Sequence, residues 1–251
     1  MNILQWNVRG FLSHCGEFKQ IMLKEAPLIA AVQETHLRDQ DPYNFNVHGY
    51  SFYTDNINSE HRQGGVGLYV SNGLLQTPLK LHTPLNAVGV KVRLCAREIT
   101  VISIYYPPNS PLVFLSNLDN LIHQVPKPCL LLGDLNAHHP IWGSRRASAR
   151  GRSIEELLEK YDLTFLNDGS PTFFSSSHLS YSAIDLSLAS ASIAPLFEWR
   201  VQSDPYFSDH FPIQLFLPET PSLISGNSTK KWNLSLADWS LYNHSITRGR
   251  G

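Results

Sequence analysis

Short strand-like segments recur along almost the whole of this chain. Residues 2–8, 28–33, 50–54, 65–71, 87–94, 98–106, 129–133, 163–167, 183–189, 196–202 and 211–217 are rich in β-branched and aromatic residues, or are brief apolar runs. Helical patterns are fewer, at about 13–25, 111–124 and 150–161. In the last, Ser153 precedes "IEELLEKY", with acids near the start and Lys160 near the end, as the helix dipole favours. Some strands alternate, as in "AVGVKVRL", and read as half-buried. Others, such as "CLLLG" and "ITVISIYY", are apolar on both faces and read as central. Many strands with few helices predict two packed sheets with helices outside.

The strands end on polar residues. "CLLLG" runs into Asp134, with Asn136 two further on. Residues two apart in an extended backbone point the same way, so the acid and the amide are expected to face one site. "LQWNV" delivers Asn7 and "LIAAVQET" delivers Glu34, followed by His36. "SAIDLSLAS" places Asp185 among apolar neighbours, and "SDHFPI" puts Asp209 and His210 before the last strand. A polar residue at a strand end is most often a turn former. A carboxylate inside a strand, as at Asp185, needs a partner to offset its burial. Several carboxylates gathered at one sheet edge would repel one another without a cation. A hard divalent ion with oxygen ligands relieves that repulsion, and Mg²⁺ fits best.

At 251 residues the chain is long enough for one large core or two small ones. Its formal net charge is -1, so bulk electrostatics would not hold a polyanion, and any nucleic-acid contact requires a local basic surface. "GSRRASARGRS", with Arg145, Arg146, Arg150 and Arg152, supplies one. Cys15, Cys95 and Cys129 lack metal-ligand spacing and read as buried thiols of a reducing compartment. No apolar run approaches the roughly 20 residues needed to span a bilayer, and no membrane partner is expected. "MNILQWNV" reads as a strand rather than a signal peptide. Residues 1–218 form the expected domain. Residues 219–251 begin as a linker rich in Pro, Ser, Gly and Thr and continue as a truncated connector or tail.

"WN" at 6–7, "QET" at 33–35, "GDLN" at 133–136, "ID" at 184–185 and "SDH" at 208–210 stand in the order and rough spacing of the endonuclease/exonuclease/phosphatase superfamily, which the chain resembles over residues 1 to about 217. Within it, the chain looks most like the apurinic-endonuclease-like domain of LINE-like, non-LTR retrotransposons. "GDLNAHHPIWG" resembles the matching segment of jockey-like elements. "TFFSSSHLSYSAIDL", residues 172–186, and "RQGGVGLYV", residues 62–70, are similar to further segments of these endonucleases. "KKWNLSLADWSLY" looks like the connector leading toward a reverse transcriptase.

The resemblance implies an α/β fold. It is a four-layer α/β sandwich, two mixed β-sheets packed face to face with helices on the outside, and the active site lies at one edge. It implies Glu34 as main ligand of Mg²⁺, with Mn²⁺ a possible substitute, and Asn7 and Asp209 completing or orienting the metal environment. Asp134 would deprotonate the attacking water, with Asn136 positioning it. His210, paired with Asp185, would stabilise the transition state, its pKa raised by that carboxylate. Tyr105 would touch the phosphate, with Tyr106 the alternative if the register is shifted. Ser182, Arg145 and Arg146 would bind phosphate. His178 and Tyr181 lie in a loop that touches DNA in the resembled family, although "SSSHLSYS" reads equally well as a plain polar hairpin. Trp142 either wedges into a groove or, the preferred reading, caps the core. Oxygen ligands around His138 and His139 argue against zinc. Relatives that repair abasic sites carry an acid where this chain has Arg9.

The expected activity is Mg²⁺-dependent nicking of one strand of double-stranded DNA in the nucleus, leaving a 3′-hydroxyl and a 5′-phosphate. That end would prime reverse transcription by a reverse transcriptase domain of the same polyprotein. The alternatives are a related phosphoesterase, such as an abasic-site endonuclease, and a catalytically dead DNA-binding remnant.

Overall fold

A computed structural model describes residues 1–37, 45–55, 64–108, 110 and 114–217. The expected linker and connector at 219–251 lie outside the described residues, as do positions 111–113 of the second expected helix. The strands, in chain order, are β1 Asn2–Asn7, β2 Ile29–Gln33, β3 Tyr50–Asp55, β4 Val66–Ser71, β5 Gln76–Leu79, β6 Asn86–Leu94, β7 Arg97–Tyr105, β8 Cys129–Asp134, β9 Leu163–Phe165, β10 Phe173–Ser175, β11 Ser180–Ser182, β12 Asp185–Ser190, β13 Glu198–Val201 and β14 Ile213–Phe216. The helices are α1 Cys15–Glu25, α2 Phe114–Gln124 and α3 Ala149–Lys160.

Two six-stranded sheets result, ordered β13-β14-β1-β2-β4-β3 and β5-β6-β7-β8-β12-β9. Both are mixed: β1 and β2 are parallel in one, β7 and β8 in the other, and the remaining pairs are antiparallel. Alternation along each strand sorts side chains into three apolar layers. Ile3, Ile29, Ala31, Leu68, Val101, Leu130 and Leu132 share the core between the sheets. Leu4, Trp6, Ala30 and Val32 turn the other way, onto Phe18, Ile21 and Met22 of α1. Ile102, Ile104, Leu131 and Leu186 turn onto α2 and α3 through Leu121, Ile122, Ile154 and Leu158. The order of layers is helix, sheet, sheet, helix, the four-layer sandwich. "CLLLG" has no polar face because both of its faces are covered.

Local differences from the sequence reading have physical causes. Strand β5 lies at a sheet edge and contains Pro78, a residue that edges tolerate and that hides a strand from pattern reading. Helix α3 is capped by Ser148, whose hydroxyl accepts from the Gly151 amide at 3.0 Å, so the cap is not Ser153. Of the cysteines only Cys129 is buried, and none of the three is in a disulfide. Among the described residues no helix is long and apolar enough to cross a membrane.

Candidate active site

The rows of side chains between the sheets change character toward one end. Ile3 leads to Gln5 and Asn7, Ala31 to Gln33, Val101 to Ser103 and Tyr105, Leu132 to Asp134, and Ala189 to Ser187 and Asp185. Period-two alternation therefore carries polar groups into the same crevice that is apolar further down. The first polar tier hydrogen-bonds across the sheets. Gln5 Nε2 donates to the carbonyls of Gly133 and Leu186, both at 3.3 Å, and its Oε1 accepts from Ser187 Oγ at 2.6 Å. Gln33 Nε2 donates to Ser103 Oγ at 3.0 Å. These bonds fix how one sheet sits on the other, directly beneath the next tier.

Asn7 organises that next tier. Its buried amide donates to Glu34 Oε1 at 2.9 Å and to Asp134 Oδ2 at 3.0 Å, holding two acids beside one another. Glu34 is the first residue past β2, and its φ of 50° turns it into the crevice. Gly133 precedes Asp134 because a Cβ there would collide with the Ile104 carbonyl. Asn136 reaches the cavity by a turn rather than by strand alternation. Its φ is 47°, its backbone N–H donates to Asp134 Oδ1 at 3.0 Å, and its amide donates to the Tyr106 carbonyl at 3.2 Å.

His210 faces these acids from before β14. Its Nδ1 lies 3.0 and 2.9 Å from the two oxygens of Asp185, and Thr172 Oγ1 donates to the same carboxylate at 2.6 Å. Nδ1 therefore carries a proton, and Nε2 is left 3.8 Å from Asp134 Oδ2. Burial would lower the imidazole pKa. The Asp185 carboxylate outweighs it, with help from Asp134 and Asp209, and the value rises to about 9. Burial pushes the Asp134 carboxyl up, the Asp185 and Glu34 charges add to this, and His210 opposes it. For Glu34 burial also acts upward, but hydrogen bonds from His36, Asn7 and Tyr105 prevail and bring it to about 2. Burial and then the Glu34 and Asp134 charges raise the Tyr105 phenol, so it remains a donor.

Glu34, Tyr105, Asp134 and His210 line a cavity of about 370 Å³ together with Asn136, His178 and Asp209. Ligand atoms of Glu34, Asp134 and His210 all lie within 4.8 Å of one another. Asp209 stands beside this trio without being part of it. Its Oδ2 pairs with Arg9 Nη1 at 2.8 Å, and its buried Oδ1 has no hydrogen-bond partner. Two neighbouring carboxylates, one of them held unprotonated, and an unpartnered buried oxygen are the setting a hard cation relieves, so the residues present fit a divalent ion.

The other expected residues divide. Tyr105 faces the cavity, whereas Tyr106 is buried in the core beneath α3. His178 lines the cavity, its Nδ1 3.1 Å from Ser175 Oγ and 3.0 Å from Ser177 Oγ. Arg145, Arg146, Tyr181 and Ser182 line a separate and larger groove of about 700 Å³. The segment 173–182 is a hairpin of β10 and β11. Arg150 departs from the expected basic surface. It is buried, stacks at 3.9 Å on the Tyr106 ring, and donates to the carbonyls of Tyr106, Pro107, Pro108, Leu135 and Asn136. Trp142 is fully buried and donates to the Ala137 carbonyl. His139 caps a short turn, its Nδ1 accepting from the Ile141 N–H at 3.4 Å, and its Nε2 lies 3.2 Å from Glu155 Oε2. Sequence reading missed Thr172 as second partner of Asp185, and nothing in "SPTFF" singles it out.

Comparison with known proteins agrees with this geometry. Residues 99–214 match the family model described as Endonuclease-reverse transcriptase. The RNA-directed DNA polymerase from mobile element jockey of Drosophila melanogaster is 27% identical over 224 residues, 86% of this chain. The chain spans 24% of that protein's length. The endonuclease domain of TRAS1, a telomere-specific non-LTR retrotransposon, superposes with a TM-score of 0.71 at 26% identity, covering 86% of this chain and 97% of that one. An AP endonuclease from Leishmania major, LMAP, shares the fold with a TM-score of 0.73 at 15% identity, over 87% of this chain and 88% of its own. Fold and site together define a nuclease domain of the apurinic-endonuclease-like type. Within that class the chain is similar to the endonuclease domains of non-LTR retrotransposons.

Proposed function

We propose that the domain is a divalent-cation-dependent endonuclease that cuts one strand of duplex DNA. The observation that carries this reading is the convergence of Glu34, Asp134 and His210 within 4.8 Å, with Asp185 locking the ring of His210 from behind. Glu34 would hold the ion, with Asn7 orienting Glu34 and Asp134 toward it. When bound, a Mg²⁺ or Mn²⁺ ion supplies charge neutralisation at the phosphate and at the departing oxygen. Asp134 accepts the proton of the attacking water, its carboxylate aimed by Asn7 and by the Asn136 backbone N–H. His210 Nε2 and the Tyr105 hydroxyl donate to the non-bridging oxygens as charge builds on them. The water oxygen bonds to phosphorus as the P–O3′ bond breaks, and the departing 3′ oxygen takes a proton from solvent water, which leaves a 3′-hydroxyl and a 5′-phosphate.

Several features support a DNA substrate. Arg145, Arg146, Ser182 and Tyr181 line a second, basic groove suited to a phosphate backbone. The similar proteins are RNA-directed DNA polymerases of mobile elements, of which this chain spans a small part. In that setting the 3′-hydroxyl would prime reverse transcription by a polymerase domain of the same polyprotein, on chromosomal DNA in the nucleus. Supercoiled plasmid tests the reading, with Mg²⁺ or EDTA and with an abasic duplex alongside. Wild type should nick the plasmid only with Mg²⁺, and Asp134→Ala should lose at least about a hundredfold in rate. Equal nicking by both proteins would refute the assignment, and cleavage confined to the abasic duplex would move it to abasic-site repair.

A further inference from the structure

We propose that Arg9 is a built-in cation of the acid cavity that binds a phosphate of the substrate strand adjoining the one that is cut; this rests on the endonuclease reading. The residue is anchored to the site by its backbone. Its N–H donates to Asn7 Oδ1 at 3.0 Å, and the next N–H, of Gly10, donates to the Glu34 carbonyl at 2.7 Å. The two residues have φ of 45° and 97°, so the chain leaves β1 through a left-handed turn that these bonds help to hold in place. Left-handed backbone at a non-glycine residue carries strain, and such strain gathers where a side chain must be aimed.

Among the described residues the guanidinium is held at one corner only. Nη1 lies 2.8 Å from Asp209 Oδ2, while 61% of the side chain is exposed. An exposed ion pair of this kind adds little to stability, so stability does not account for the strained turn. Charge at the cavity does. Glu34, Asp134 and Asp209 line it, and among the described lining residues Arg9 alone is permanently cationic. A phosphodiester approaching three carboxylates needs an opposing charge at the rim, and the net charge of -1 supplies no general attraction. The planar fork of Arg9, with one edge on Asp209, still presents donors to a phosphate oxygen. The same pairing accounts for Asp209 lying outside the ligand trio, because one of its oxygens already has a cation.

Four proteins test this: wild type, Arg9→Met, Arg9→Lys and Asp209→Asn. Binding of a fluorescent duplex is measured in EDTA over a salt series, and plasmid nicking in Mg²⁺ gives KM and kcat. Arg9→Met should weaken duplex binding roughly tenfold at low salt and reduce the slope of log K against log salt by about 0.9. Its KM should rise with kcat within about twofold, and its thermal melt should match wild type. Arg9→Lys should restore the slope. Asp209→Asn should keep the slope and bind at least as tightly as wild type, since Arg9 keeps its charge and one repelling carboxylate is gone. An unchanged slope in Arg9→Met, or a fall in kcat with KM and slope unaltered, would overturn the assignment while wild-type nicking left the endonuclease reading intact. A changed slope with no nicking by wild type would keep the phosphate contact and reject the endonuclease.

Discussion

Asp185 stands behind His210 and acts through it. The carboxylate takes both Nδ1 and the Thr172 hydroxyl, and it joins β12 of one sheet to the segment entering β14 of the other. The pair therefore links the sheets as well as orienting the ring. Because His210 titrates near 9 in the folded protein and near 6.5 in the unfolded chain, its contribution to stability is complete below about pH 6.5 and is lost as pH rises through 9. A shift of this size corresponds to about 3 kcal/mol. Urea unfolding in EDTA should accordingly show stability falling by that order between pH 6 and pH 9.5, and Asp185→Asn should flatten the dependence. A wild-type profile that stays level over this range would mean that the imidazole is not held in its charged form.

At the scale of elements, the segments after β7 and β8 carry Tyr105 and Asp134, and α3 fixes both through one guanidinium. Arg150 gives its donors to five carbonyls on those segments and lies flat on Tyr106. Removing it leaves buried carbonyls without partners. Arg150→Met is expected to lower stability by about 3 kcal/mol and the melting temperature by roughly 10 °C. Had Arg150 been part of the phosphate-binding surface, the same change would weaken DNA binding and leave the melt in place. The run "SRRASARGRS" shows why this was not legible in sequence. Four arginines at short spacing look alike, and only the start of α3 at Ala149 turns one of them inward while Arg145 and Arg146 remain on the groove. By contrast "CLLLGD" was legible, because a strand with two apolar faces ending on Gly and an acid admits few placements. Edge strand β5 was not, since Pro78 and exposed neighbours mask its pattern.

Across the whole molecule, one physical rule produces the site. Strands that bury both faces between and outside the sheets must alternate, and the inward rows of β1, β2, β7, β8 and β12 end in polar groups at the same edge. Asn7, Tyr105, Asp134 and Asp185 arrive there by that rule, and Glu34, Asn136 and Arg9 by left-handed turns just past strand ends. Strand patterns in the sequence pointed to Asn7, Glu34 and Asp134 at their ends and to Asp185 as an acid within one, whereas Tyr105 came only from the family resemblance. Sequence order could not separate Asp209 from the ligand trio, since adjacency to His210 says nothing about the Arg9 guanidinium that claims it. The central claim is that these side chains, drawn from position 7 to position 210, hold one divalent cation. Anomalous diffraction from a crystal of the domain soaked in Mn²⁺ measures that directly. The account predicts a single strong peak within bonding distance of Glu34, inside the cavity shared with Asp134 and His210. A cavity without a peak at saturating Mn²⁺, or a peak bound only elsewhere on the molecule, would contradict it.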